Sequence, residues 1–280
     1  MGYAWIHVGD EADIRQGDVV KTFEANNPSY AVVLTADCDI AQRKTNNRMT
    51  VVRAVPIQEF VSKYWSAWEL EKTYEKQIRS LLPFLNAKIA AMDLKLDFLL
   101  PGRLTQWTRE SSPSEIFDLL ELNEKKNSKE LQALAVISIY ASFADDLQDD
   151  DGLRALTRAF SALGRPVSDI RERVRDALLT SGGFQDYLVI PNLPGTKEDG
   201  LVVLMREVLT APFEEFCKSE YQARVEDRPG SYVRIGRLAD RVKYAVSQRI
   251  AFVFSRIGME HAYEDSCGTL AELIALEAAP

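Results

Sequence analysis

Strand-forming runs stand at both ends of this chain with helical pattern between them, and that order restricts the topologies open to it. Three runs come early: Asp18–Phe23, Tyr30–Thr35 and Thr50–Val55. Within them Val32-Val33-Leu34 and Val51-Val52 are continuous rather than alternating, as in strands covered on both faces. Asn26-Asn27-Pro28-Ser29 marks a loop, and the polar stretch Gln42–Arg48 reads as an exposed one. Strand character returns at Tyr187–Ile190, at Leu201–Leu204 and near Tyr232–Ile235, with Pro191–Gly195 as a turn cluster. The simplest topology brings the late strands back to the first sheet. One composite domain over 1–280 is therefore expected. Residues 1–55 and about 184–236 form its β-barrel portion, 56–180 a helical insertion and 238–280 C-terminal helices.

Pro56 suits a first helical turn, and Phe60, Tyr64, Trp68 and Leu70, then Tyr74, Ile78, Leu81 and Leu82, recur at helical spacing. This predicts a long helix broken near Pro83. Further helices are expected over Ser114–Leu122, Ser128–Ala144, Asp151–Leu163 and Ser168–Leu179, with Ser114, Ser128 and Ser168 as N-caps. Near the C-terminal end, Leu238, Val242, Ala245, Val253 and Ile257 form one apolar helical stripe, and the last twenty residues read as a small helix and a frayed tail.

With 280 residues, 46% of them hydrophobic, the chain can bury a sizeable core. A formal net charge of -8 argues against a general nucleic-acid sleeve. Cys38, Cys217 and Cys267 are odd in number and far apart, so a reducing cytoplasm is expected rather than a disulfide framework. His7 and His261 are the only histidines, and no CxxC, HxxxH or HExxH spacing occurs, so no zinc site is expected. No run of eighteen apolar residues and no basic-then-apolar leader is present, so an intracellular protein without a membrane span is expected. Phosphate-loop and serine-hydrolase motifs are absent as well.

Three places carry chemical interest. At the Asp37-Cys38-Asp39 elbow, a continuing strand puts both carboxylates on one face, where they could hold Mg²⁺, and Cys38 could act as a thiolate. The structural alternative is an Asx-turn with Cys38 packed inward. Asp145-Asp146-Leu147-Gln148-Asp149 matches a diphosphate-magnesium pattern, yet with Asp150 and Asp151 it reads better as a solvated link capping the next helix. Residues 222–257 carry eight Lys or Arg against three acids, and Arg234, Arg237, Arg241 and Arg249 are its candidates for contact with an anion or partner. Pairing within the protein is the alternative there. The four tryptophans, Trp5, Trp65, Trp68 and Trp107, read as core or interface.

The series Gln16-Gly17-Asp18-Val19-Val20, Tyr30–Asp37 and Thr50–Ile57 resembles the PemK/MazF family of toxin barrels. The resemblance implies an SH3-like barrel. It also implies metal-free cleavage of single-stranded RNA by an arginine before the second strand and a threonine opening the third. Thr50 takes the threonine position, whereas Ser29 or Tyr30 stands where the arginine is expected. The elbow Thr35–Asp39 and the segment Arg234–Gly258 also resemble a wider set of bacterial proteins carrying a Thr-x-x-Cys-Asp elbow. The expected fold is thus α+β, a small SH3-like β-barrel base with a largely helical insertion and a C-terminal helix. The expected function is that of an intracellular bacterial binding or regulatory protein acting through contacts with another protein encoded nearby, in a toxin-related or phage-defence system and without a cofactor. The alternative is a Mg²⁺-dependent phosphodiesterase or ribonuclease derived from a toxin barrel, with Asp37, Asp39 and Thr50 at its rim. Nucleic acid is the less favoured partner.

Overall fold

The computed structural model describes residues 4–25, 28–92, 98–145, 152–179, 186–194 and 199–255, with 266 and 270. In chain order these form β1 (Trp5–Ile6), β2 (Asp18–Thr22), β3 (Tyr30–Val33), α1 (Asp37–Ala41), β4 (Arg48–Pro56), α2 (Ile57–Glu59), a π-helical turn (Phe60–Trp65) and α3 (Ser66–Ala91). There follow α4 (Pro101–Glu110), α5 (Pro113–Leu119), α6 (Ser128–Asp145), α7 (Gly152–Ala162), α8 (Val167–Leu179), β5 (Tyr187–Pro191) and β6 (Gly200–Pro212). A 3-10 turn (Phe213–Glu215), β7 (Phe216–Cys217), α9 (Glu220–Val225), β8 (Tyr232–Leu238) and α10 (Asp240–Ser255) complete it. The class is α+β, a curled, mainly antiparallel half-barrel sheet plus helices. Two compact units are formed, one of residues 1–54, 184–188 and 203–280, the other of 55–183 and 189–202. Among the described residues no helix is long and apolar enough to cross a membrane.

The sheet runs β1-β8-β2-β3-β4-β6-β5, with β7 beside β8. Its register pairs Val19 with Val32 and Val32 with Val52, so the early runs lie side by side as the sequence predicts. Val19, Val20, Val32, Val33, Val51 and Val52 are each at most 1% exposed, which accounts for unbroken apolar runs where a one-sided sheet would alternate. Ile14, Val20, Ala31, Val33, Met49, Val51, Ala211 and Phe216 form one cluster of this core. In α10 the buried side chains are Val246 and Val253, with Val242 and Ala245 half-buried. Leu238 is buried as well, but it ends β8 rather than belonging to the helical stripe, and Ile257 lies outside the described residues.

In the helical unit α3 continues without interruption past Pro83, contrary to the expected break. Proline at an interior position removes one amide donor. Here Ile78 and Leu81 before it and Leu85 and Ile89 after it are all buried in one cluster with Leu104, Ile116, Phe117, Leu134 and Ile137, and burial on both sides holds the helix. The cap of α5 is Ser112 rather than Ser114: its side chain accepts from Glu115 N and the Glu115 carboxylate accepts from Ser112 N, a capping box. Ser168 likewise lies inside α8.

Gly152 opens α7 at a close approach. A Cβ there would stand 2.6 Å from Ser66 Oγ and 2.9 Å from the Ser62 carbonyl oxygen. Gly152→Ala, a change worth up to about 1 kcal/mol in favour of an unconstrained helix, is therefore expected to destabilise this one by about 1–3 kcal/mol through overpacking. Urea unfolding of the variant reads the sign directly.

Candidate functional site

Leu34, Thr35 and Ala36 carry the chain out of β3 into α1. Leu34 N and Thr35 N donate to the Thr50 carbonyl oxygen, and Thr50 N donates to Thr35 Oγ1 (2.7 Å), which fixes this exit against β4. Ala36 is extended, and Asp37 and Asp39 follow in the first turn of α1, where negative charge suits the exposed amide end. The elbow is thus a helical turn and not a continuing strand. Asp37 Oδ1 accepts from Gln16 N at 2.8 Å and its Oδ2 lies 3.9 Å from Lys243 Nζ. Cys38 is exposed instead of packed inward, with Sγ 3.7 Å from Asp39 Oδ1.

The end of α1 is unusual in its residue choice. Arg43 N donates to the Ile40 carbonyl oxygen and Lys44 N to that of Asp39, which together make a Schellman cap with Arg43 at the left-handed position, φ 52°. Glycine is the usual occupant there, because a Cβ in this region costs about 1–2 kcal/mol. Asn46 and Asn47 are also left-handed, and Phe213 N donates to the Asn47 carbonyl oxygen, tying this turn to the end of β6.

Asp37, Cys38 and Arg43 share a cleft of about 800 Å³ with the loop Asp13-Ile14-Arg15 and the segment from Phe213 to Lys218, while Asp39 and Thr50 are not among its walls. A recess of about 230 Å³, walled by Ile40, Arg43, Asn47 and Phe213 among others, borders the same turn. The apolar lining is Ile14, Ile40, Phe213 and Phe216, and the cations are Arg15, Arg43, Lys218 and Arg228. Two of these cations are engaged. Lys218 Nζ lies 2.6 Å from Asp13 Oδ1, and its hydrogen bond holds that carboxyl below its usual range. Arg228 bonds Glu226 (2.8 Å) and the Glu214 carbonyl oxygen (2.6 Å). Arg43, exposed, pairs with no carboxylate among the described residues, and Arg15, also exposed, makes no hydrogen-bonded ion pair there but acts on the Asp13 carboxylate through space. The cleft accordingly presents two guanidiniums without a hydrogen-bonded carboxylate among the described residues, beside aromatic and branched apolar side chains.

Of the four arginines singled out near the C-terminal end, Arg234 and Arg237 turn their donors inward. Asp18, fully buried at the start of β2, accepts from Arg237 Nε and Nη2 (2.9 Å) and from Arg15 N (2.9 Å). Arg234 Nη1 is 3.8 Å from the same carboxylate. Arg234 also donates to the carbonyl oxygens of Ala12 (2.6 Å) and Gly9 (2.8 Å), and Arg237 to that of Asp13 (2.7 Å). The hydrogen bond to Asp18 raises the Arg237 pKa, whereas burial lowers that of Arg234. Together they clamp the loop that supplies one cleft wall. Arg241 is exposed, and Arg249 Nη1 donates to the Tyr187 carbonyl oxygen at 3.1 Å.

Among the described residues no group of three or more His, Cys, Asp and Glu side chains is placed to hold a metal ion. Asp145 closes α6, and Asp146–Asp151, Cys267 and His261 lie outside the described residues. Arg15, Arg43 and Lys218 are not among the residues expected from the sequence; a local signal exists for Arg43 alone, which stands in the polar turn between two buried strands, whereas Arg15 precedes β2 and Lys218 follows β7. Comparison with family models, with curated proteins and with solved structures finds no match to this chain.

Proposed function

We propose that the protein works by binding another protein, through the cleft beside α1, with a toxin-type barrel reused as the scaffold in a toxin-related or phage-defence setting. What carries this reading is Arg43, held in a left-handed cap at a conformational cost and left without a carboxylate partner among the described residues. A side chain kept at such a position is explained when it serves a contact outside the chain. Arginine and aromatic residues around an apolar patch are also the composition of interface hot spots. The matching partner surface is acidic with an apolar centre.

Co-expression with the products of adjacent genes, followed by calorimetric titration, tests this. Arg43→Gly is expected to raise stability by about 1 kcal/mol, since glycine relieves the cap, and to weaken the complex at least about tenfold, near 1.4 kcal/mol. An Arg43→Gly variant that gains stability and binds unchanged would falsify the assignment of the cleft. Mg²⁺-dependent cleavage of RNA abolished by Asp37→Asn would instead establish the phosphodiesterase alternative.

A further inference from the structure

A second cavity, of about 630 Å³, opens within the helical unit between α3, the start of α6 and the α7–α8 region. Five cations line it, Lys72, Lys76, Lys129, Arg165 and Arg173, against the two carboxylates Glu69 and Glu130. That local excess of positive charge sits in a chain of net charge -8. Where a strongly acidic chain concentrates cations around a recess, the field is focused on whatever enters it.

Part of this lining is already ordered. Glu69, 13% exposed, lies 3.0 Å from Lys72 Nζ and 2.7 Å from Arg173 Nη1. Burial opposes its charge, but the two hydrogen bonds outweigh burial and hold the carboxyl below its usual range. Glu69 therefore fixes two cations in place. Arg165 bonds Asp169 through Nε and Nη2, and its guanidinium lies 4.1 Å from the Phe160 ring centroid. Lys76 and Lys129 have no ion-pair partner among the described residues and remain available to a ligand.

We propose that this cavity binds a small molecule carrying two or more linked phosphates, either a nucleotide or an inorganic polyphosphate. Two ammonium groups unpaired among the described residues, beside three anchored cations, match a chain of phosphates better than a single anion. The volume lies within the range of roughly 300–1,000 Å³ typical of small-molecule sites. Gln77 and Gln132 add amide donors, and Leu81, Ala133 and Leu163 supply an apolar part of the wall. Cations gathered around a recess suit a compact polyanion more than an extended strand. This site uses none of the residues assigned to the protein-binding cleft.

Calorimetric titration of the full chain with tripolyphosphate, ATP and orthophosphate tests the proposal, at about 0.1 M salt, where screening still leaves short-range attraction. Tripolyphosphate or ATP is expected to bind in the micromolar range, and orthophosphate at least about tenfold more weakly. The double variant Lys76→Glu with Lys129→Glu is expected to lose at least about tenfold in affinity while keeping its melting temperature, since neither side chain has an ion-pair partner among the described residues. Equal binding of tripolyphosphate and ATP assigns the affinity to the phosphate chain, and tighter ATP adds recognition of the nucleoside; either supports the proposal. No heat from either polyphosphate at millimolar concentration, orthophosphate bound as tightly, or unchanged affinity in the double variant overturns it. So does an oligoribonucleotide that binds with the same lysine dependence when both polyphosphates fail. Arg43→Gly is expected to leave this binding unaltered, so failure here and failure of the cleft reading are separable.

Discussion

Asp18→Ala is expected to lower the unfolding free energy by about 3–5 kcal/mol, because it leaves two guanidiniums buried without their counter-charge. Asp18 is 0% exposed, and the side chains of Arg234 and Arg237 are 4% and 12% exposed. Asp18 and Arg237 are register partners across β2 and β8, which sets the bidentate geometry. Arg234 and Arg237 also repel each other, and Asp18, with a smaller contribution from Asp10, offsets that repulsion. Asp18→Asn, with one acceptor oxygen left, should cost less than alanine. Replacing both partners, as in Asp18→Val with Arg237→Met, should cost less than Asp18→Ala alone, since no buried charge of that pair is then orphaned. Urea unfolding of the three variants ranks them, and a loss under about 1 kcal/mol for alanine would mean that water replaces the carboxylate. Because the same arginines hold the carbonyl groups of the loop from Gly9 to Asp13, alanine is also expected to loosen the wall that bears Ile14 and Arg15.

The parts of this structure legible in the sequence are those governed by neighbours in the chain. Val32-Val33 and Val51-Val52 announced strands because β-branched residues in an unbroken run suit a doubly covered sheet and little else. Three late runs read as strands prove to belong to β5, β6 and β8 of the same sheet. Helix α4 escaped notice because in Pro101–Glu110 only Leu104, Thr105 and Thr108 are buried, too little apolar pattern to stand out. The passage of α3 through Pro83 was hidden because burial, a tertiary effect, overrides the local penalty. Asp18 and Arg237 lie 219 residues apart, and nothing local pairs them. The cleft is illegible for the same reason: its cations come from the loop before β2, the turn after α1, the segment after β7 and the turn before β8. An arginine at a left-handed cap is visible only once φ is known.

Val33→Asp is the other change with a large expected effect, and it should remove most of the stability of the sheet unit at neutral pH. Val33 is 1% exposed in β3, opposite Val51, and packs in the cluster that contains Met49, Ala211 and Phe216. The substitution gives up about 1.5–3 kcal/mol of side-chain burial and adds several kcal/mol for an unpaired carboxylate in apolar surroundings. The sum is comparable to the whole stability of an ordinary domain, about 5–15 kcal/mol. Burial raises the pKa of the introduced carboxyl above its unfolded value, so the deficit is greatest above that raised pKa and shrinks as the pH falls through it. Chemical unfolding from pH 7 down to about pH 5 should therefore show the gap between variant and wild type narrowing; a pH-independent gap would mean that the carboxylate has reached water. Val33→Ala, expected to cost about 1–3 kcal/mol as a cavity, keeps a folded protein for the functional arm. The cluster around Val33 includes Ile14 and Phe216, which are walls of the cleft. Partner binding should accordingly weaken in Val33→Ala although every charged group of the cleft is retained, which separates the apolar contribution to recognition from that of Arg15 and Arg43.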